Sequence, residues 1–246
     1  MSREEKRQEE QRIVSDHQNS LELEQIIFVG RTFEEYIRMF DLTTDELAGK
    51  AILDCPGGAC SFSSQARKHG AHPMAADIVY QYGIQELKTK GLQDIEHTMK
   101  QMQTVQDKYV WDQFGSIQGL KEERLLAITD FVADMKSHPE CYVNTVLPEL
   151  CFNDDQFDLT LSAHFLFTYA DRLNFEFHVQ TVSEMLRVTR HEVRIFPTVD
   201  LSGKRYNDMD ELKMFLEKMG CKVSEIQTSY EFQRNAHTML RIIKPS

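Results

Sequence analysis

The chain has 246 residues, of which 41% are hydrophobic and 27% charged, the balance of a globular protein with a sizeable core. Its formal net charge of −11 argues against a protein that follows nucleic-acid phosphates. The sequence has no apolar run of about 18 residues, no secretory leader and no cysteine spacing typical of zinc sites, so we expect a cytoplasmic protein with reduced thiols, no membrane span and no metal.

The first predicted unit is an N-terminal helical segment over residues 1–44. A charged start leads into an amphipathic helix over residues 21–27, which Gly30 is expected to stop. Thr32 and Glu35 have the spacing of a capping box and therefore predict the start of a second helix.

A change of pattern at residue 50 predicts a βαβ unit. Residues 50–54 form a short apolar run that ends in Asp54, and the turn that follows contains a proline and two glycines. A helix that ends at Gly70 leads to a second strand over residues 72–77, which ends in Asp77. Such a crossover indicates a parallel sheet.

The stretch over residues 80–136 is helical by its period. A first apolar face comprises Ile95, Met99, Met102, Val105 and Tyr109, and a second comprises Leu120, Leu125, Ile128, Val132 and Met135. A crossover needs only one helix, so the stretch is predicted to be a helical cap inserted into a main domain over residues 45–246.

The remainder of the chain continues the alternation of strands and helices. Strands are predicted at 141–146, 157–162, 192–196, 222–228 and 237–243, and helices at 175–188 and 210–219. Asp171 is expected to cap the first of these helices. The last two strands are too close in sequence for a crossover, so they should pair antiparallel. The predicted fold is an α/β, Rossmann-like, doubly wound sheet, mostly parallel with a C-terminal antiparallel hairpin.

The first βα turn is the place where such a sheet holds a ligand. Gly57 and Gly58 let a ligand approach backbone N–H groups, although the G-x-G-x-x-G spacing of dinucleotide sites is missing. Asp54 would repel a pyrophosphate, by about 1 kcal/mol in water, and would favour an ammonium group. Asp77 stands where an acid accepts hydrogen bonds from ribose hydroxyls. A nucleoside with an amino-acid tail and no phosphate satisfies both acids, and S-adenosylmethionine is such a molecule.

Five segments then carry a family resemblance. Residues 52–60 (ILDCPGGAC) resemble the first motif of class I S-adenosylmethionine-dependent methyltransferases, and residues 75–78 (AADI) resemble the second. Residues 148–152 and 157–164 are similar to the stretch that reaches the fourth strand, and residues 184–188 are similar to the helix before the fifth. Further segments at 162–171, 192–197 and 230–234 resemble a bacterial group of these enzymes without assigned substrates.

The resemblance implies a role for each matching position. Asp54 and the backbone of Gly57 and Gly58 would hold the methionine end, Asp77 the ribose, and Leu147 and Pro148 the adenine, while Ser162, Ala163 and His164 would lie beside the sulfonium. Cys55, Pro56 and Ile78 would also contact the cofactor. Pro56 and Cys60 stand where the family usually has glycine.

Methyl transfer requires positioning and only sometimes a base. His164 is the candidate base, and the alternative is that it only packs or hydrogen-bonds beside the cofactor. Arg31, Tyr36 and Tyr169 are candidates for closing the site or contacting the acceptor, and a solvent-facing Arg31 is the alternative for that residue.

Three functions are consistent with these residues. The first is methyl transfer to a small molecule held under the cap. The second is a regulatory module that binds S-adenosylmethionine without catalysis. The third is a nucleotide-sugar or NAD(P)-dependent Rossmann enzyme, against which the missing fingerprint, Asp54 and the terminal hairpin argue.

Overall fold

The computed structural model describes residues 27–245, so the helix predicted at 21–27 lies outside them except for Ile27, which is exposed. The helices are α1 Phe33–Met39, α2 Thr44–Leu47, α3 Phe62–Lys68, α4 Ile84–Met102, α5 Ile117–Ser137, α6 Phe175–Val188 and α7 Met209–Lys218. The strands are β1 Ala51–Asp54, β2 His72–Asp77, β3 Tyr142–Asn144, β4 Phe157–Ala163, β5 Thr189–Phe196, β6 Lys222–Gln227 and β7 Thr238–Ile243. None of these helices combines the length and apolar character needed to cross a bilayer.

The seven strands form one sheet in the order β3-β2-β1-β4-β5-β7-β6. Strands β1 to β5 pair parallel, whereas β7 lies antiparallel to both β5 and β6. The predicted doubly wound sheet with a terminal antiparallel hairpin is therefore confirmed.

The strand order reverses between β1 and β4, which is the position where open α/β sheets bind their ligands. Both faces of the sheet are buried. Ile52 and Ala75 belong to the apolar cluster on one face, and their neighbours Leu53 and Ala76 belong to the cluster on the other. This explains why the central strands read as continuous apolar runs.

The start of α1 has the predicted capping box. The Thr32 hydroxyl accepts a hydrogen bond from the Glu35 N–H at 3.4 Å, and the Glu35 carboxylate accepts one from the Thr32 N–H at 2.9 Å. Gly30 precedes it in a stretch that is neither helix nor strand, where a Cβ would lie 1.9 Å from the carbonyl oxygen of Ala59. Close backbone approach therefore requires glycine at this position.

Two long helices, α4 and α5, connect β2 to β3 and pack against each other at Gly91, where a Cβ would lie 2.0 Å from Ile128. The prediction that one helix continues to Tyr109 is wrong. The helix ends at Met102, because the N–H groups of Thr104 and Val105 bond three residues back instead of four. The division at residue 45 and the role of 80–136 as a cap remain predictions.

The capping residue of α6 is Asn174, and the expectation for Asp171 is wrong. The Asn174 side chain accepts a hydrogen bond from the Phe177 N–H at 2.8 Å. Asp171 is exposed and pairs with Arg172 at 3.6 Å. Any Asn or Asp in the loop has the chemistry of a cap, and the backbone position alone selects between them.

Candidate active site

The glycine turn after β1 lies at the carboxyl edge of the sheet. The Gly57 N–H donates to the carbonyl of Ala76 at 3.0 Å, and the Gly58 N–H donates to the Asp77 carboxylate at 2.8 Å. Gly58 has a φ of +52°. A Cβ on Gly57 would lie 2.6 Å from the Tyr80 hydroxyl, which itself donates to the Gly58 carbonyl at 2.9 Å. The turn is thus fixed on both sides by the end of β2 and by Tyr80.

Asp54 ends β1 and is fully buried. Its two carboxylate oxygens lie 3.0 and 3.2 Å from the hydroxyl of Tyr36, which donates a hydrogen bond to them. Burial raises the pKa of Asp54 well above its usual range, while the hydrogen bond from Tyr36 acts in the opposite direction. Burial likewise raises the pKa of the Tyr36 phenol. Tyr36 therefore contacts Asp54, the acid of the first motif, and this hydrogen bond connects α1 to β1.

Asp77 ends β2, and both of its carboxylate oxygens accept backbone hydrogen bonds. One accepts from Gly58 and the other from the Val79 N–H at 3.1 Å. Burial raises the pKa of Asp77, and these N–H donors partly offset the effect. Each carboxylate oxygen has a second lone pair, so Asp77 can shape the turn and still accept a hydrogen bond from a ligand hydroxyl.

Two polar atoms at the end of β4 have no hydrogen-bond partner among residues 27–245. They are the hydroxyl of the fully buried Ser162 and Nε2 of the half-buried His164. His164 has a φ of +52°, a strained conformation for a residue with a Cβ, and its N–H donates to the Phe196 carbonyl at 2.6 Å. Residues with strained backbones cluster at active sites and ligand-binding sites.

The electrostatic environment keeps the His164 ring neutral. Burial lowers its pKa well below the usual range, and the positive charges of Arg31 and Arg124 lower it further. A neutral ring carries one N–H donor and one lone pair that can accept a proton. The ring also stands edge-on to Phe196, with 5.5 Å between centroids.

A buried ion pair that the sequence analysis did not predict lies close to His164. Arg124 of α5 donates two hydrogen bonds to Glu35 of α1, at 2.5 and 2.9 Å, and the Tyr230 hydroxyl donates a third at 2.7 Å. Burial opposes ionisation of Glu35, yet the charge and hydrogen bonds of Arg124 prevail and lower its pKa. The only available signal was the capping box, which identified Glu35 as a helix-start residue.

Aromatic rings hold the loop before α5 against the loop before β7. Phe232 contacts Tyr109, Trp111 and Phe114, with centroids 4.7, 5.4 and 4.9 Å away. The Val110 N–H also donates to the Phe232 carbonyl at 2.7 Å. Together with the Glu35–Arg124–Tyr230 cluster, these contacts connect α1, the region between β2 and β3, and the terminal hairpin.

The other predicted site residues lie either at the carboxyl edge of the sheet or in the segments around it. Cys55 is buried and Ile78 half-buried next to the turn, and Leu147 and Pro148 are half-buried after β3. Ala163, the last residue of β4, is also half-buried, and Pro56 follows a cis peptide bond. Tyr169 has ring contacts with Phe165 and Arg172, and its role at the acceptor site stays a prediction.

Cys60 is a second thiol close to the turn. Its sulfur accepts a hydrogen bond from the Arg31 N–H at 3.3 Å, and burial raises its pKa to about 12. A thiol in that state is not a nucleophile at neutral pH.

Solved structures of similar shape include methyltransferases. Magnesium protoporphyrin IX methyltransferase (ChlM) from Synechocystis PCC 6803 with bound SAM has a TM-score of 0.45 and 11% identity, over 87% of this chain and 91% of that chain. A SAM-dependent methyltransferase from Aquifex aeolicus has a TM-score of 0.43 and 12% identity, over 86% of this chain and 93% of that chain. The 1,6-didemethyltoxoflavin-N1-methyltransferase of Burkholderia thailandensis has a TM-score of 0.47 and 10% identity, over 82% and 76%.

No protein-family model matches the chain. A relative by sequence is the uncharacterized protein MJ0045 of Methanocaldococcus jannaschii, which is 31% identical over 223 residues. The alignment covers 90% of this chain and 98% of that protein. The chain therefore belongs to the same protein family as MJ0045.

Proposed function

We propose that this protein is a methyltransferase that transfers a methyl group from S-adenosylmethionine to a small-molecule acceptor. One observation carries the proposal. At the point where strand order reverses, two buried acids, Asp54 and Asp77, end neighbouring parallel strands on either side of the Gly57–Gly58 turn. This arrangement favours a nucleoside with a charged amino-acid tail over a dinucleotide, because a pyrophosphate in the glycine turn would lie next to the acid at position 54.

The donor groups at this edge suit S-adenosylmethionine. The glycine turn offers backbone approach at the N-terminal side of α3, and Asp77 retains lone pairs for ribose hydroxyls. Ser162 and His164 present unpartnered polar atoms at the end of β4. We assign Asp54 to the methionine end, Asp77 to the ribose, and the segment at Leu147 and Pro148 to the adenine.

S-adenosylmethionine supplies an activated methyl group with its own leaving group, so the protein need not provide a nucleophile. The residues of the chain then position the acceptor and exclude water. Tyr36 holds Asp54 in place from α1, and the aromatic contacts of Phe232 keep two loops together.

His164 is our candidate for receiving a proton from the acceptor. Its ring is neutral, its Nε2 is unpartnered, and its backbone is held in a strained conformation. If the acceptor loses no proton, the same ring only lines the site and forms a hydrogen bond with the acceptor. A His164→Gln variant distinguishes the two roles. Loss of a base changes the pH dependence of kcat, whereas loss of a hydrogen-bonding side chain changes only the magnitude of kcat.

We also propose that the enzyme works in the cytoplasm, since its five cysteines are all free thiols.

The test begins with calorimetric titration of S-adenosylhomocysteine and continues with transfer of labelled methyl from S-adenosylmethionine to a pool of small metabolites. Binding followed by transfer supports the proposal. Tight binding without transfer to any metabolite would favour a regulatory module instead. Thermal stabilisation by NADH, with none by S-adenosylhomocysteine, would indicate a nicotinamide enzyme and reject the proposal.

A further inference from the structure

Arg31 differs from the other sheltered arginines of the chain. Among residues 27–245, the other arginines that are buried or half-buried all form ion pairs: Arg67, Arg124, Arg187, Arg194 and Arg241. Arg31 is half-buried and forms none with any described residue. Its Nη1 donates to the Val29 carbonyl at 2.9 Å, whereas its Nε is buried without a partner. A sheltered guanidinium in this state lacks an anion.

The backbone of Arg31 is anchored beside the glycine turn. Its N–H donates to the Cys60 sulfur at 3.3 Å, and its carbonyl accepts from the Ser61 N–H at 3.0 Å. Residue 31 is therefore held at the start of α3, on the side of the sheet that carries Asp54 and the end of β4. Two backbone contacts fix where its side chain begins.

The charge of the Arg31 guanidinium acts on the residue that follows β4, since it contributes to the lowered pKa of His164. It also partly offsets the increase that burial causes in the pKa values of Tyr109 and Tyr230. The charge of Arg31 also helps to lower the pKa of Glu35, but the carboxylate oxygens of Glu35 already accept hydrogen bonds from Arg124, Tyr230 and Thr32. Among the described residues, no carboxylate forms an ion pair with Arg31.

We propose that Arg31 binds a carboxylate of a ligand in the active site, an inference that rests on the proposed methyltransferase function. A planar guanidinium with free N–H groups forms paired hydrogen bonds with a carboxylate. Two ligands can bring that group: the methionine end of the cofactor, or an acidic small-molecule acceptor whose reacting atom lies beside His164. In either case the half-buried guanidinium of Arg31 provides a positive charge that can bind an anion, in a chain whose net charge is negative.

The experiment compares wild type with Arg31→Gln and Arg31→Lys in calorimetric titrations. S-adenosylhomocysteine carries the carboxylate, and 5′-methylthioadenosine lacks it but shares the nucleoside. If the cofactor supplies the anion, Arg31→Gln weakens S-adenosylhomocysteine binding by about 10- to 100-fold and leaves 5′-methylthioadenosine unchanged. Arg31→Lys should retain part of the affinity, because the charge remains and the paired geometry is lost.

If the acceptor supplies the anion, both nucleosides bind the variant as they bind wild type. A panel of aromatic and aliphatic carboxylates, each with its matched primary amide, is then screened by ligand-observed NMR on protein loaded with S-adenosylhomocysteine. Carboxylates should bind in preference to amides in wild type and lose that preference in Arg31→Gln.

Two results would overturn the proposal: equal loss of both nucleosides in Arg31→Gln, which indicates a structural role, or unchanged nucleoside binding with no carboxylate preference. Wild-type protein that binds neither nucleoside would instead reject the proposed function. The carboxylate panel on unliganded protein would still decide the role of Arg31 in that case.

Discussion

Arg124 and Glu35 lie 89 positions apart in the sequence and form a buried, doubly hydrogen-bonded ion pair, with 2.5 and 2.9 Å between their nitrogen and oxygen atoms. The arginine side chain is 3% exposed and the glutamate 0%. Their contact joins α5 to α1, and Tyr230 adds the terminal hairpin. Three distant parts of the chain therefore meet at one charge pair beside the candidate active site.

Glu35→Gln or Arg124→Met should each destabilise the fold by about 3–5 kcal/mol, because either change leaves the other member buried without its partner. The double variant should lose less than the sum of the two. Urea unfolding at pH 7 measures all three. Arg172→Ala, at an exposed ion pair, is the control and should cost about 0–1 kcal/mol. If each single variant loses no more unfolding free energy than the Arg172→Ala control, the Glu35–Arg124 pair contributes nothing to stability.

Asp54→Asn should make the protein more stable than wild type at neutral pH. Burial raises the folded-state pKa of Asp54, so the folded protein holds that proton more tightly than the unfolded chain. Wild type therefore loses stability as pH rises from the unfolded pKa of about 3.9 toward the folded one. The asparagine variant lacks this loss and can still accept the Tyr36 hydrogen bond.

Urea unfolding between pH 4 and pH 9 tests this expectation. The stability difference between variant and wild type should grow with pH and then level off. Asp171→Asn removes an exposed carboxylate and controls for the change in net charge. A difference for Asp54→Asn that does not vary with pH would contradict the argument.

Asp77→Ala should weaken S-adenosylhomocysteine binding by about 1–3 kcal/mol, the cost of leaving ribose hydroxyls without an acceptor. The carboxylate also holds the N–H groups of Gly58 and Val79, so thermal unfolding is recorded alongside the titration. Asp77→Asn keeps one acceptor oxygen, so its affinity for S-adenosylhomocysteine should lie between those of wild type and Asp77→Ala. Undiminished affinity in a folded Asp77→Ala protein would exclude the residue from the site.

Gly57→Ala should disturb the turn, because the new Cβ would lie 2.6 Å from the Tyr80 hydroxyl and 2.9 Å from the Ala75 side chain. We expect about 1–3 kcal/mol of destabilisation together with weaker S-adenosylhomocysteine binding. Gly83→Ala is the matched control, since its Cβ would meet no atom within 4 Å. Wild-type behaviour of Gly57→Ala in both assays would show that the turn adapts.

Much of the fold follows from local patterns. Alternating strands and helices, the acids at residues 54 and 77, and the short link between the last two strands predicted the sheet and its antiparallel hairpin. The helix predicted at 175–188 has the observed bounds, Phe175–Val188. Periodicity failed at Val105 and Tyr109, where an apolar spacing continues past the helix end because Tyr109 packs against Phe232 instead.

By itself, the sequence determined the order of elements and the loop that carries the glycines, since hydrophobic period and turn chemistry act between near neighbours. Only the tertiary structure decided which side chains meet above that loop. Glu35 and Tyr230 lie 195 positions apart and share a hydrogen bond, and the Nε of Arg31 is buried without a partner. Such contacts depend on how the helices pack, and no local pattern encodes that packing.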